Sequence, residues 1–300
     1  MNAKMRWLKI GVNLIVILSL AIVLVVPSPV VLATVSEVGT GGIPLSINDF
    51  SVVPQHIVDD ANMLATELFG DAREKHQDFI SQLQATYLMA KDKDIVIIFN
   101  SGGWGWTPIE DSPFGMGIVT GISSELASLG YTTLFLNHLR TYESWQVIIN
   151  ESVEIATRYP SKAKDLVTRV KFLTNHIPDL RVIIAGESEG SLICTSVMSI
   201  LSDNPQLYSI QMGPPFWNSN TVSGKSLVLR SNGEVADAFS QGDIFAIIRA
   251  NLEAMFGISQ ENAGKILFYI GAPGHDYRWE YPEVRSQITK FLYESFGIKQ

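Results

Sequence analysis

Short runs of β-branched and aromatic residues alternate with longer stretches of helical periodicity beyond residue 90. The runs are nearly continuous in apolar residues, as in parallel strands that are buried on both faces. Most of the spacers between them are long enough for a helix. The pattern therefore predicts an α/β fold, with a mostly parallel sheet and helices on both faces. The strand candidates are residues 94–99, 132–136, 181–185, 207–211, 226–230 and 266–270.

Helical patterns fill the spaces between and around these runs. They cover residues 114–130, 145–174, 191–202 and 244–256. At the C-terminus one helical face carries only apolar side chains, which predicts a helix that covers the last strand; these side chains are Val284, Ile288, Phe291 and Leu292.

Residues 55–90 also have helical periodicity, and Gly70 and Asp71 predict a break between two helices. The Gly-, Ser- and Pro-containing residues 34–50 read as a linker. We therefore expect one α/β domain over residues 51–300, with a helical N-terminal part at 55–90.

The first 33 residues have the arrangement of a signal peptide or a membrane anchor. Three basic residues among the first nine precede residues 10–36, which carry no charge. Positive charge before an apolar run keeps the N-terminus in the cytoplasm and sends the following chain across the membrane. Either the chain is cleaved after Ala33, or residues 10–33 remain as a helix that spans about 30 Å of hydrocarbon. Both alternatives predict an extracytoplasmic protein, secreted or membrane-anchored and facing outward.

Charge and cysteine content exclude several classes of function. The net charge is −8, and no basic stripe follows the first ten residues, which argues against a nucleic-acid partner because phosphate contacts require clustered Lys and Arg. Cys194 is the single cysteine, so a disulfide scaffold is excluded, and its apolar surroundings predict a small packed side chain. No metal-ligand spacing and no phosphate-binding loop is present, and we expect no cofactor.

The strongest local signal is a G-x-S-x-G sequence over residues 186–190, centred on Ser188. It directly follows the strand candidate 181–185 and directly precedes an apolar helix, which is the position of a nucleophile elbow. Side chains two residues to either side of the serine would clash in so tight a turn. This crowding explains the glycines at 186 and 190. The following helix directs its N-terminus at the serine and favours negative charge there. The alternative is an ordinary Gly/Ser turn.

In its order of elements the chain resembles the α/β-hydrolase superfamily over residues 94–300, without resembling one specific family within it. The resemblance is carried by a strand with a glycine-rich loop at residues 100–106, the elbow, a late acidic loop, and His275 after the last strand candidate. The six strand candidates would be the third to eighth strands of that fold. The first two strands are not visible, because residues 55–90 look helical.

The resemblance implies a triad in the chain order Ser, acid, His. Only His275 among the five histidines follows Ser188. The acid should follow the strand candidate 226–230, where Glu234, Asp237 and Asp243 are available. Glu234 is very close to the strand end, and Asp243 is well explained as a helix N-cap. Asp237 is therefore the favoured acid, with the other two kept as alternatives.

The resemblance also implies an oxyanion hole built from two backbone N–H groups. One donor is expected from Glu189, immediately after the nucleophile. The other is expected from Gly103 or Trp104, in a loop similar to the HGGG loops of esterases, although Ser101 stands where those loops have His.

Aromatic residues in loops at the carboxyl ends of the strands predict a site for an apolar or aromatic acyl group. They serve equally well as core or as a membrane-interface belt. Two carboxylates flank Ser188, which discourages anionic substrates. The candidate substrate-binding residues are Trp106, Phe216 and Trp217.

These residues predict a serine hydrolase that cleaves a small-molecule carboxylic ester through an acyl-enzyme. A thioesterase, amidase or peptidase would use the same triad, and an acyltransferase would replace water with another acceptor. An alternative of a different class is a non-catalytic protein of the same fold at the membrane surface. The presence of residues for all three triad positions favours the enzyme.

Overall fold

A computed structural model describes most of the chain from Asp49 to Lys299. The predicted signal or anchor at 1–33, nearly all of the predicted linker and the strand candidate 266–270 lie outside the described residues. No helix in the described part is long and apolar enough to cross a bilayer. The described residues are 49–70, 72–103, 105, 109–112, 115–140, 154, 159–218, 224–255 and 271–299.

Five strands of the described chain form one sheet in the order β2-β1-β3-β4-β5. Every pairing is parallel, which confirms the predicted parallel sheet. Each strand agrees within two residues with one of the first five candidates. They are β1 (Ile95–Asn100), β2 (Thr133–Asn137), β3 (Arg181–Glu187), β4 (Leu207–Met212) and β5 (Ser226–Leu229).

The longer helices agree with the predicted periodicity, whereas the four-residue helix Ala238–Gln241 lies in what was predicted to be a loop. The predicted helical part 55–90 is two helices that break at Gly70, where φ is 55°. The pattern at 145–174 is a helix from Pro160 onward in the described residues; proline suits a first helical turn, where its missing N–H is not needed. The helices are α1 (Gln55–Phe69), α2 (Arg73–Ala90), α3 (Gly115–Ser128), α4 (Pro160–His176), α5 (Glu189–Ile200), α6 (Ala238–Gln241), α7 (Ile244–Met255) and α8 (Pro282–Phe296).

The sheet separates two hydrophobic cores because successive strand side chains point to opposite faces. On β1, Ile95 and Ile97 pack with α3 and α8. Val96 and Ile98 pack on the other face with α4 and α5. Fully burying each such side chain stabilises the fold by about 1.5–3 kcal/mol. The predicted apolar face of α8 lies in the first core, and α1 and α2 pack outside α4 through Phe172.

The strand order places a crevice at the carboxyl ends of β1 and β3. The chain leaves β1 for β2 on one side and later returns to β3 on the other side, so the loops after β1 and β3 diverge. Ligands of open parallel sheets bind at such a switch point. Asn100, at the end of β1, is in register with Gly186 on β3, which brings the glycine-rich loop and the G-x-S-x-G turn together.

Candidate active site

Ser188 lies in the tight turn between β3 and α5, with φ 53° and ψ −120°. It is one of two non-glycine residues with positive φ in the described chain. The neighbouring glycines are required by close backbone contacts. A Cβ on Gly186 would lie 2.6 Å from the carbonyl oxygen of Gly190, and one on Gly190 would overlap the Asn100 backbone. These contacts agree with the crowding expected of a nucleophile elbow.

Replacing Gly190 with alanine should lower the free energy of unfolding by about 1–3 kcal/mol, because the methyl group cannot fit without moving the end of β1. Gly224→Ala is the matched control, since a Cβ there meets nothing within 4 Å. We expect that control to change stability by no more than about 0.5 kcal/mol. Urea unfolding of the two variants measures the difference, and equal effects would show that the Gly190 contact is not restrictive.

Asp237 and His275 form a hydrogen-bonded pair. The imidazole Nδ1 lies 3.0 Å from Oδ2 and 3.1 Å from Oδ1 of the carboxylate. The carboxylate is fully buried, and it also accepts hydrogen bonds from the Tyr277 hydroxyl and from the N–H groups of Phe239 and Ser240. The Asp237 carboxylate is thus held at the start of α6 by three further hydrogen bonds, with the imidazole against it.

The two alternative acids lie elsewhere. Asp243 accepts a hydrogen bond from the N–H of Ala246 and caps α7, as the sequence predicted. Glu234 is exposed, and its backbone N–H is held by Asn232. Of the three candidates, Asp237 is the one that contacts His275. An N-cap role does not by itself exclude a residue as the triad acid, because Asp237 and Asp243 both cap a helix.

The surrounding carboxylates change the pKa of the imidazole. Burial lowers the pKa of His275, but the hydrogen bond and charge of Asp237, with smaller effects from Glu189 and Glu187, raise it, and the net shift is upward. Burial acts on Asp237 in the opposite direction, yet His275 and Tyr277 bring the net pKa of that carboxyl below its ordinary value. Burial raises the pKa of Glu187.

Ser188 and His275 lie at the same end of the sheet. The Ser188 N–H donates to the carbonyl oxygen of Met212, the last residue of β4, at 2.8 Å. The next residue, Gly213, lies against the imidazole, since a Cβ there would be 2.6 Å from Cε1 of His275. No hydrogen bond joins the Ser188 hydroxyl to the imidazole among the described contacts. Such bonds are often long without substrate and tighten in the enzyme–substrate complex.

The glycine-rich loop lies beside the serine, as an oxyanion loop requires. A Cβ on Gly102 would be 3.0 Å from Cβ of Ser188. Glu189 is the first residue of α5, and the first N–H groups of a helix have no intrahelical partner. However, the N–H of Gly103 donates to Oε2 of Glu189 at 2.9 Å. In this structure a carboxylate therefore occupies one predicted donor, while the other candidate, Trp104, lies outside the described residues.

Two of the predicted substrate-binding aromatics, Phe216 and Trp217, connect to the His275 imidazole through Phe239. Ring centroids are 4.9 Å apart for Phe216 and Trp217, 5.6 Å for Trp217 and Phe239, and 4.9 Å for Phe239 and His275. Both predicted residues are half-buried, and their contact with substrate stays a prediction. Trp106 lies outside the described residues.

Two other histidines also pair with carboxylates. His138 is buried between the side chains of Asn100 and Asp165, at 2.8 Å from each. His176 lies 2.8 Å from Asp60 at the end of α4. A His–Asp contact is therefore not by itself a sign of a triad here. His275 differs because its imidazole lies against Gly213, the residue after the Met212 carbonyl that binds the Ser188 N–H.

Cys194 is fully buried, and burial raises the pKa of its thiol to about 12, as expected of a packed side chain. No three His, Cys, Asp or Glu side chains of the described chain come together as a metal site.

Sequence reasoning missed two buried polar side chains that support the site. The Tyr277 hydroxyl donates to Asp237 at 2.7 Å. The Arg140 guanidinium donates to the carbonyl oxygens of Ser101 and Gly103 in the glycine-rich loop. Neither residue belongs to a motif, and nothing in the local sequence separates it from an ordinary loop residue.

No protein-family model matches this chain, and no curated protein sequence matches it either. Among solved structures, it is similar to a cutinase from Trichoderma reesei in complex with a C11Y4 phosphonate inhibitor. The two are 15% identical, with a TM-score of 0.40, over 64% of this chain and 82% of the cutinase.

Proposed function

We propose that this protein is a serine hydrolase that cleaves a carboxylic ester, with Ser188 as nucleophile, His275 as general base and Asp237 as the acid that orients it. The observation that supports this most is the combination of a strained serine and a buried His–Asp pair at one edge of the sheet. Backbone strain of this kind costs about 1–3 kcal/mol and persists where function requires it.

In the proposed reaction, Oγ of Ser188 attacks the ester carbonyl carbon while Nε2 of His275 accepts the hydroxyl proton. Asp237 accepts the hydrogen bond from Nδ1–H, which selects the tautomer with a free Nε2. The negative carbonyl oxygen lies at the N-terminus of α5, near the N–H of Glu189. The imidazolium then protonates the departing alkoxide, and water attacks the acyl-enzyme with the same base.

The second oxyanion donor depends on Glu189. For the N–H of Gly103 to bind the oxyanion, the Glu189 carboxylate has to rotate away from it. Its side chain is only partly buried, so this movement requires a rotamer change and no change of fold. A substrate carbonyl that enters the site would compete with the carboxylate for the same donor.

The contact between Glu189 and Gly103 also supports a second candidate function. If the carboxylate stays bound to that N–H, the site has one oxyanion donor fewer, which favours a non-catalytic protein of this fold. Removing one such donor costs an enzyme about 10²–10³-fold in kcat. Thioesters and amides remain alternative substrates, because the same triad attacks their carbonyl carbons.

A fluorophosphonate probe tests the proposal directly, because it reacts with an activated serine. We expect the wild-type protein to be labelled on Ser188, as located by peptide mass spectrometry, and expect Ser188→Ala and His275→Ala to remain unlabelled. Labelling that persists in Ser188→Ala would remove this serine from the mechanism. A folded wild-type protein that is not labelled would favour the non-catalytic alternative. A panel of p-nitrophenyl esters, thioesters and anilides then distinguishes the hydrolase classes.

The pH dependence should reflect the carboxylates around the imidazole. Because only neutral His275 acts as a base and its pKa is raised, kcat/KM should fall on acidification with a midpoint above about 6.5, the ordinary value for histidine. Removing the charge in Glu189→Gln makes the imidazolium less stable and moves this midpoint to lower pH. The control is Glu294→Gln, which removes a carboxylate at an exposed position on α8. A midpoint that is the same in both variants would exclude Glu189 as a contributor.

A further inference from the structure

We propose that Arg140 is a positioning residue of this site, which holds the glycine-rich loop in the orientation that oxyanion binding requires; this inference rests on the proposed function. Arg140 lies three residues after β2 and is only 1% exposed. Its guanidinium donates to the carbonyl oxygens of Ser101 and, at 2.7 Å, Gly103. Its backbone N–H donates to the carbonyl oxygen of Gly105 at 2.9 Å. Arg140 therefore binds the carbonyl oxygens of every second residue in the loop, at positions 101, 103 and 105.

These contacts determine which way the loop amides point. In a trans peptide the carbonyl oxygen and the following N–H point in opposite directions. Because the guanidinium holds the Ser101 carbonyl oxygen, the N–H of Gly102 is presented on the side away from Arg140. Gly102 is also the loop residue that lies against Ser188, since a Cβ added to this glycine would be 3.0 Å from Cβ of the serine. Arg140 thus sets the backbone direction at the point where the loop meets the nucleophile. By binding the carbonyl oxygens of Ser101 and Gly103, it holds the loop on both sides of the Gly103 N–H, the proposed second donor.

An arginine suits this task better than a lysine. Its planar fork of five donors holds two carbonyl oxygens at once, whereas an ammonium group acts as a single compact charge. The loop is folded closely around it, because a Cβ on Gly105, where φ is +77°, would lie 2.5 Å from Nε of Arg140. The Tyr159 ring centroid lies 5.3 Å from the guanidinium carbon, and Nζ of Lys162 donates to the Arg140 carbonyl oxygen at 3.0 Å.

Burial of this charge is costly unless its hydrogen bonds are made. Two of the hydrogen bonds of the Arg140 guanidinium go to backbone carbonyl oxygens of the loop, where they fix the loop geometry. Oxyanion donors contribute to catalysis because they are already aligned before the reaction, and a displacement of about 1 Å lowers the rate by about 10²-fold. Loss of Arg140 should therefore raise the energy of the transition state and have little effect on ester binding.

The test compares Arg140→Met and Arg140→Lys with wild type in ester hydrolysis. We expect Arg140→Met to lower kcat by about 10²-fold, with KM changed by less than about threefold. Arg140→Lys should lose about tenfold, because an ammonium can still bind one of the two carbonyls. Arg181→Met is the matched control: this arginine packs between Tyr131 and Phe296 at the opposite end of the sheet, and its loss should leave kcat unchanged.

Inhibitor binding separates positioning from general structural damage. An alkyl boronic acid forms a tetrahedral anion on the serine, so its affinity should fall with kcat in Arg140→Met. A neutral amide analogue of the ester should bind as it does to wild type. Equal losses for both inhibitors, or a folded Arg140→Met protein with wild-type kcat, would overturn the inference and leave the proposed function standing.

If the serine hydrolase proposal itself is wrong, the result differs, because the wild-type protein would then show neither probe labelling nor ester hydrolysis. If Arg140→Met does not fold, Arg140→Lys and Gly105→Ala decide the question. In Gly105→Ala the added methyl group would overlap the Arg140 side chain and push the guanidinium away from the loop. This variant should therefore also lower kcat with little change in KM. Wild-type kcat in either folded variant would overturn the inference.

Discussion

Replacing Ser188 with glycine should lower kcat for a p-nitrophenyl ester by about 10⁶-fold, which is the scale seen when a triad nucleophile is removed. In the proposed mechanism Oγ of this hydroxyl forms the bond to the acyl group, and glycine has no nucleophile in its place. The rate that remains would come from oxyanion donors and substrate binding alone. Steady-state hydrolysis and probe labelling of the same preparation measure both consequences.

The same substitution should make the protein more stable. At φ 53° and ψ −120° a side chain is strained by about 1–3 kcal/mol, whereas glycine adopts this conformation freely. Glycine also increases the entropy of the unfolded chain by about 0.5–1 kcal/mol, so a net gain of about 1 kcal/mol is expected. Ser188→Ala keeps the strain and should lose activity without this gain. A glycine variant less stable than the alanine variant in urea unfolding would contradict a strained elbow.

Replacing Asp237 with asparagine should lower kcat by about 10⁴-fold, the loss that accompanies a triad imidazole held in the wrong tautomer. The asparagine amide can direct an N–H toward Nδ1, which then has to act as the acceptor, and the proton is left on Nε2. The buried carboxylate also accepts from Tyr277, Phe239 and Ser240. An amide has only one acceptor oxygen for these donors, so we expect a loss of about 1–3 kcal/mol in stability.

Asp243→Asn is the matched control for this prediction. Asp243 caps α7 from an exposed position, and asparagine caps helices about as well as aspartate. We expect neither kcat nor the free energy of unfolding to change. If Asp237→Asn were destabilised but kept kcat within tenfold of wild type, Asp237 would be only a buried cap and the triad would lack its acid.

The sequence by itself determined the fold class, through the hydrophobic pattern of the strands. It also identified the elbow serine and the late histidine of the candidate site, through the local motif and the order of these residues in the chain. Buried parallel strands are continuously apolar, and a tight elbow needs Gly186 and Gly190 around its serine. The position of His275 late in the chain singled it out among the histidines. These features depend on interactions between neighbouring residues or on chain order, so they can be inferred without coordinates.

The sequence favoured Asp237 as the acid but kept Glu234 and Asp243 as alternatives, and only the tertiary structure shows that Asp237 is the one that faces His275. The tertiary structure also brought the Glu189 carboxylate to the N–H of Gly103, the Arg140 guanidinium to the carbonyl of Ser101 and the Tyr277 hydroxyl to Asp237. The residues of these three pairs are separated by 86, 39 and 40 positions. These contacts form because the parallel sheet brings the loops after its strands together at one edge. Neither the periodicity nor the spacing of residues in the sequence predicts which side chains meet there.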